Sequence, residues 1–225
     1  MSFCELCQHD KISDCEGGIS TSDDGTGACV NFSRWLPIRD LLDTWPLNPR
    51  YAHASFDPHP KSNPEQAKDA RGIKKAMIDA LGQRRNIYLF GGQGNGKTYA
   101  AAALVREAHR QFIPAVMVDC VDLINTITAR MKSEDGYQGM LDQLASAEIE
   151  ILVIDDLGKQ RRTDFANDKM WEIINGRYQQ QLMTVATSNY TPSEIAAQGE
   201  PWPKLMDRLQ EDAIILKMQG ESLRV

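Results

Sequence analysis

No stretch of the 225-residue sequence approaches the roughly 20 consecutive apolar residues that cross a bilayer as a helix, so no membrane span is expected. The sequence opens Met-Ser-Phe-Cys-Glu rather than with a basic stretch followed by an apolar one. That lacks the pattern of a secretory leader, and the protein reads as cytoplasmic. Positive charge is not in excess: 25 Lys and Arg against 31 Asp and Glu leave a formal net charge of −6. A protein that coats nucleic acid with its whole surface would be basic, so any contact with DNA or RNA must be local, through a few cations on one face. Internal repeats and low-complexity tracts are also missing. With 42% hydrophobic and 25% charged residues, what is there is the profile of a globular domain and not of a disordered chain.

Cysteine is unevenly spread. Of five, four precede residue 30 (Cys4, Cys7, Cys15, Cys29) and the fifth is Cys120. In a cytosolic chain such a cluster is more often metal-binding than disulfide-bonded. Cys4 and Cys7 have the C-x₂-C spacing of half a zinc site. Cys15 and Cys29 could complete four thiolates, with His9 as a substitute. A glycine-rich segment this short can hardly bury a core without such a staple. The second pair lacks the compact spacing of a zinc ribbon, and reduced cysteines in a flexible segment are the alternative.

Three regions follow from composition. Residues 1–45 form a Cys-rich extension that ends in a short amphipathic helix over 34–45. Residues 46–64 carry five prolines and little periodicity, which reads as a linker. From residue 65 to 225 helical and extended patterns alternate, the signature of an α/β domain built on a parallel sheet. Periodicity places helices over 66–81, 97–111, 123–131, 137–146, 168–181 and 203–209, and strands over 86–90, 115–119, 149–155, 183–187 and 213–216.

The sharpest motif is Gly91-Gly92-Gln93-Gly94-Asn95-Gly96-Lys97-Thr98, followed by Tyr99, which fits G-x-x-x-x-G-K-[ST] between an apolar strand and a helix. Glycines let the backbone turn tightly, so that several N–H groups can face phosphate oxygens at the positive end of the following helix. Lys97 would place charge between the β- and γ-phosphates, and the Thr98 hydroxyl would bind Mg²⁺. The apolar strand Ile151-Leu152-Val153-Ile154 ends in Asp155 and Asp156. Acids at the tip of a core strand need a partner, and a Mg²⁺ beside the phosphate loop supplies one. Asp155 would hold the metal; Asp156 would orient or deprotonate the attacking water. Asn189, in Thr187-Ser188-Asn189, could align that water, although turn chemistry favours Ser-Asn by itself. Arg208 and Arg224 are either phosphate-sensing arginines or ordinary surface arginines.

In order along residues 50–225, these segments resemble the bacterial and phage helicase-loader ATPases of the DnaC/DnaI type, which are AAA+ proteins related to the initiator DnaA and the transposition helper IstB. Tyr51 to Phe56 is similar to the family's entry segment near the adenine, which adds Phe56 to the nucleotide contacts. Leu205-Met206-Asp207-Arg208-Leu209 resembles the segment with the intersubunit arginine finger, and Gly220 to Arg224 resembles the terminal arginine motif. The resemblance implies a five-stranded parallel sheet of order 5-1-4-3-2, ATP or ADP with Mg²⁺, self-association with sites between subunits, and single-stranded DNA. The sequence stops soon after Leu216, so no C-terminal helical lid of a full AAA+ module is expected, which fits loaders. It also implies docking on a DnaB-type hexameric helicase, in which residues 1–45 would take part. Arg130 and Lys132, and separately Lys159, Arg161 and Arg162, are candidate DNA contacts; a solvated face is the plain alternative. The short head is unlike that of longer loaders and points to a phage or prophage protein.

Asp156 stands where many AAA+ enzymes have Glu, one methylene longer, so slow hydrolysis is expected. Three other readings compete with a loader. One is an IstB-like transposition helper acting on duplex DNA. A second is a small-molecule P-loop kinase, disfavoured by the Asp155-Asp156 pair with Asn189. The third is a nucleotide-binding regulator without turnover.

Overall fold

The structure, a computed structural model, describes residues 19–20, 27–28, 35–57, 64–131 and 136–219. The candidate zinc ligands Cys4, Cys7, Cys15 and Cys29, and likewise His9, Lys132 and Arg224, lie outside these residues. Apart from a two-residue antiparallel pair (Ile19–Ser20 with Gly27–Ala28), every strand among the described residues belongs to one parallel sheet. Its strands are β1 (Ile87–Gly91), β2 (Ala115–Asp119), β3 (Ile151–Asp155), β4 (Met183–Ser188) and β5 (Ile214–Met218). They run side by side as β2-β3-β4-β1-β5, the order 5-1-4-3-2 read from the other edge. None of the described helices is long and apolar enough to cross a membrane.

Helices cover both faces. On one side lie α2 (Pro64–Gln83) and α3 (Lys97–Arg110). On the other lie α4 (Cys120–Arg130), α5 (Gln138–Leu144), α6 (Asp164–Gln179), α7 (Pro192–Ala196) and α8 (Trp202–Gln210). The pleat divides the strand residues between the two cores. Ile87, Leu89, Ile151, Val153 and Val185 pack on α2 and α3, whereas Tyr88, Leu152, Ile154 and Ala186 face the other layer. All residues of β3 and β4 are buried, which is why they read as continuous runs instead of alternating ones.

The structure moves several expected boundaries, and caps explain the two largest shifts. Asp119 Oδ1 accepts from Val121 N (2.8 Å) and Asp122 N (3.2 Å), so α4 starts at Cys120, directly off β2, and not at 123. Thr163 Oγ1 accepts from Ala166 N (3.1 Å) and starts α6 at Asp164 instead of 168. The short α7 was not expected; a capping box of Thr191 and Glu194 nucleates it.

The expected extension and linker also pack more closely than their composition suggests. Over 34–45 there is a 3₁₀ turn (Leu36–Ile38) and then α1 (Arg39–Thr44). Trp35, Ile38, Leu41 and Trp45 enter the same core cluster as α4, α5 and α8. Further on, Pro49–Tyr51 form a 3₁₀ turn, and Ala54 is buried against Ala102 and Ala103 of α3. Ser55 N donates to Tyr99 Oη (3.3 Å), and Arg106 Nη1 to Ala54 O (2.5 Å). Residues 46–57 are therefore a strap held along α3.

At the sheet's other end, Arg177 of α6 is 0% exposed. Its guanidinium donates to the carbonyls of Leu144 (2.8 Å), Ile149 (3.0 Å), Glu150 (3.3 Å) and Met183 (2.8 Å), and to Thr184 Oγ1 (3.1 Å). One side chain thus ties α5, α6, β3 and β4 together. Arg177→Ala leaves those carbonyls buried without donors and opens a cavity, at a cost of about 3 kcal/mol or more. Urea denaturation checks this; a loss below about 1 kcal/mol would contradict the assignment.

Candidate nucleotide site

β1 delivers the chain into the glycine loop, and α3 begins at its far end with Gly96 (φ 93°) as N-cap. Gly91 has φ 147°, and a Cβ there would run into the carbonyl oxygen of Met218 and lie 2.8 Å from Asn95 Nδ2. Only glycine fits. Asn95 Nδ2 donates to Met218 O (2.7 Å), which pins the loop to the edge strand β5. Lys97, buried, donates to Gly91 O (3.0 Å), Gly92 O (2.6 Å) and Asn95 Oδ1 (3.3 Å). Its ammonium therefore rests on the loop's own acceptors, at the N-terminus of a 14-residue helix whose first N–H groups favour an anion.

The acids meet this loop from β3. Asp155 Oδ1 accepts from Thr98 Oγ1 (3.0 Å) and from Thr187 Oγ1 of β4 (2.5 Å), and the residue is 8% exposed. Burial pushes its carboxyl above the ordinary carboxylate range; the Thr187 hydroxyl opposes this, and the neighbouring Asp156 and Asp119 push the same way as burial. Asp156 follows in a left-handed conformation (φ 56°). Its N–H donates to Thr187 Oγ1 (2.9 Å), and its Oδ2 pairs with Lys159 Nζ (2.9 Å). The next turn is fixed from behind. Gln160, buried, accepts from Gly158 N (3.0 Å) and from the Cys120 thiol (3.1 Å), whose pKa burial pushes up to about 12.

A cleft of roughly 510 Å³ joins these parts. It brings together the predicted Gln93, Gly94, Gly96, Lys97, Thr98, Tyr99, Asp156 and Asn189, and also Lys159. Arg50 and Tyr51 line it too; the sequence reading had placed Phe56 at the nucleotide. Phe56 packs half-buried against the cluster of Ala54, Ala102 and Ala103 and is not in the cleft lining. Resemblance places residues 51–56 near the adenine, but the strap's contacts with α3, and Arg50 on the cleft wall, cannot be seen in a proline-rich stretch.

The remaining candidates lie apart from the cleft lining. Arg208 Cζ stacks 4.1 Å from the Trp171 ring centroid and 5.5 Å from that of Tyr178, and Nη1 donates to Lys204 O (3.4 Å). Arg130 Nη2 donates to Thr44 Oγ1 (3.4 Å), tying α4 to α1. Arg161 and Arg162 are exposed.

The donor set fits a nucleotide with Mg²⁺. Thr98 and Asp155 already touch, where the cleft meets a second hollow lined by Thr98, Asp119, Asp155 and Asp156. No group of three or more His, Cys, Asp or Glu among the described residues could hold a metal alone. A hard cation here would take one hydroxyl, one carboxylate and phosphate oxygens, the usual share for Mg²⁺. The cation would offset the acid repulsion at Asp155.

A glycine loop between β1 and α3, with acids on the strand two places away in a 5-1-4-3-2 sheet, is the arrangement of an AAA+ ATP-binding domain. Residues 54–225 match the model of the IstB-like ATP binding protein family, and the chain belongs to it. The replicative helicase loader DnaI of Bacillus subtilis is 24% identical over 154 residues, which are 64% of this chain and 49% of DnaI, so the chain spans about half that relative's length. A putative insertion sequence ATP-binding protein, y4uH, of Sinorhizobium fredii is 27% identical over 214 residues, 87% of this chain and 83% of that one. Among solved structures, a crystal structure of the DnaC helicase loader matches with a TM-score of 0.63 at 22% identity, over 76% of this chain and 99% of the solved chain. At that identity the likeness speaks for the fold alone.

Lys97→Ala removes the only side-chain cation of the loop. ATP binding or turnover is expected to be abolished while the melting temperature stays near that of the parent; normal turnover in the variant would remove the nucleotide assignment.

Proposed function

We propose that the chain is an ATP-dependent loader that delivers a DnaB-type hexameric helicase to single-stranded DNA in replication. The observation that carries the ATPase part is the convergence of Thr98 and Thr187 on Asp155, with Asp156, Asn189 and Lys97 facing one cleft. That set is suited to activating water beside bound phosphate, not to accepting a small-molecule substrate. Lys97 neutralises phosphate charge, Thr98 and Asp155 hold Mg²⁺, Asp156 orients or deprotonates water, and Asn189 aligns it. Arg208 does not line its own chain's cleft, which suits a residue acting on a neighbour's nucleotide in an assembly; Arg224 is assigned to phosphate sensing on the resemblance alone. Residues 1–45 are assigned to the helicase, with zinc as their candidate staple. Arg130, Lys132, Lys159, Arg161 and Arg162 are assigned to DNA.

The similarity to DnaI supports the loader reading. The longer match to y4uH favours a second one: a helper of insertion-sequence transposition that acts on duplex DNA with a transposase. Size exclusion with light scattering, run with the cognate hexameric helicase with and without ATP, separates them. A defined co-complex is expected. No complex in either state, together with filaments on duplex DNA, would establish the second reading.

Arg208→Ala is expected to keep ATP binding and lose turnover. Mixed with Lys97→Ala, under conditions where co-assembly is verified, it should recover part of the activity, because each variant supplies what the other lacks. No recovery in a verified mixed assembly would end the trans assignment.

A further inference from the structure

We infer that Thr187 is the residue that positions the acid pair, holding Asp155 toward the cation and fixing the backbone from which Asp156 reaches the cleft. This rests on the nucleotide-site reading above. Asn189 was expected to be the functional member of Thr187-Ser188-Asn189, but it is exposed at the cleft wall, while Thr187 is 0% exposed and touches both acids.

The hydroxyl has one proton, and its surroundings fix where that proton goes. Asp156 N–H can only donate, so Thr187 Oγ1 accepts from it (2.9 Å) and gives its own proton to Asp155 Oδ1 (2.5 Å). The main chain repeats the link: Leu157 N donates to Thr187 O (2.8 Å), and Ser188 Oγ to Leu157 O (2.7 Å). Thr98 is the other hydroxyl on Asp155 Oδ1. In the nucleotide-site reading it turns to the cation, and Thr187 then remains as the partner that keeps the carboxylate oriented. Both hydroxyls converge on Oδ1, which leaves Oδ2 available to the metal.

Thr187→Val keeps the shape and removes the hydroxyl, whereas Thr187→Ser keeps the hydroxyl. The readout is binding of a fluorescent ADP analogue as Mg²⁺ is titrated, with a parallel measurement in EDTA. For Val, the Mg²⁺ concentration at half-maximal binding should rise roughly tenfold, the effect of one lost hydrogen bond to a charged group, with binding in EDTA unchanged. Ser should behave like the parent. Three results overturn the inference: Val matching the parent, Val and Ser losing Mg²⁺ dependence alike, or Val losing binding in EDTA as well, which would make the role merely structural. If the parent chain itself binds the analogue neither with nor without Mg²⁺, the nucleotide-site reading falls and takes this inference with it.

Discussion

A carboxylate at the end of a fully buried strand is the constraint around which the other parts are arranged. Taking such a charge out of water costs several kcal/mol unless hydrogen bonds or a counter-charge offset it. At Asp155 two hydroxyls make the offset, and they come from different places: Thr98 from the first turn of α3 and Thr187 from the end of β4. The phosphate loop, the acid strand and the strand between them are thereby locked to one oxygen atom. A cation bound there would join an acceptor set that is already assembled.

Parallel topology is what makes this convergence possible. All five strands run the same way, so their C-terminal ends share one edge, where ligands of open α/β sheets bind. On that edge β1 contributes the loop, β3 the acids, β4 Thr187 and Asn189, and β5 the Met218 carbonyl that pins Asn95. The fifth strand, β2, sets Asp119 in register with Asp155. Two carboxylates side by side repel, and the arrangement tolerates them because Asp119 spends its Oδ1 on two backbone N–H groups at the start of α4, where helix charge is positive.

What the sequence revealed divides along the same lines. The loop at 91–98 and the strand at 151–156 are contiguous, and their chemistry is local, so residue types at fixed spacing were enough. The sheet order came from resemblance, since no spacing rule fixes which strands are neighbours. Thr187 was named only as part of a segment, because its importance lies in a partner 32 residues away. Arg177 looks like one more exposed helical arginine until the four carbonyls around it are seen. Arg50 was missed, and Tyr51 was named only as part of a segment near the adenine, for a related reason: proline content announces irregular backbone, not where that backbone lies, and here the strap runs back over α3 to wall the cleft.

Asp156 shows how backbone conformation bears on chemistry. A left-handed φ is uncommon for a residue with a Cβ, and Asp is among the few types that accept it. The hydrogen bond from its N–H to Thr187 holds the conformation, so the turn is set by β4 and not by the acid's own preference. The carboxylate then meets Lys159 at the cleft wall. In the proposed reaction a side chain one methylene short of Glu must leave that ammonium before it can take a proton from water. In that reaction shorter reach and a competing partner would both slow turnover. Slow turnover would suit the proposed assembly switch, whose ATP-bound state must outlast the search for its partners, better than a motor that spends one nucleotide per step.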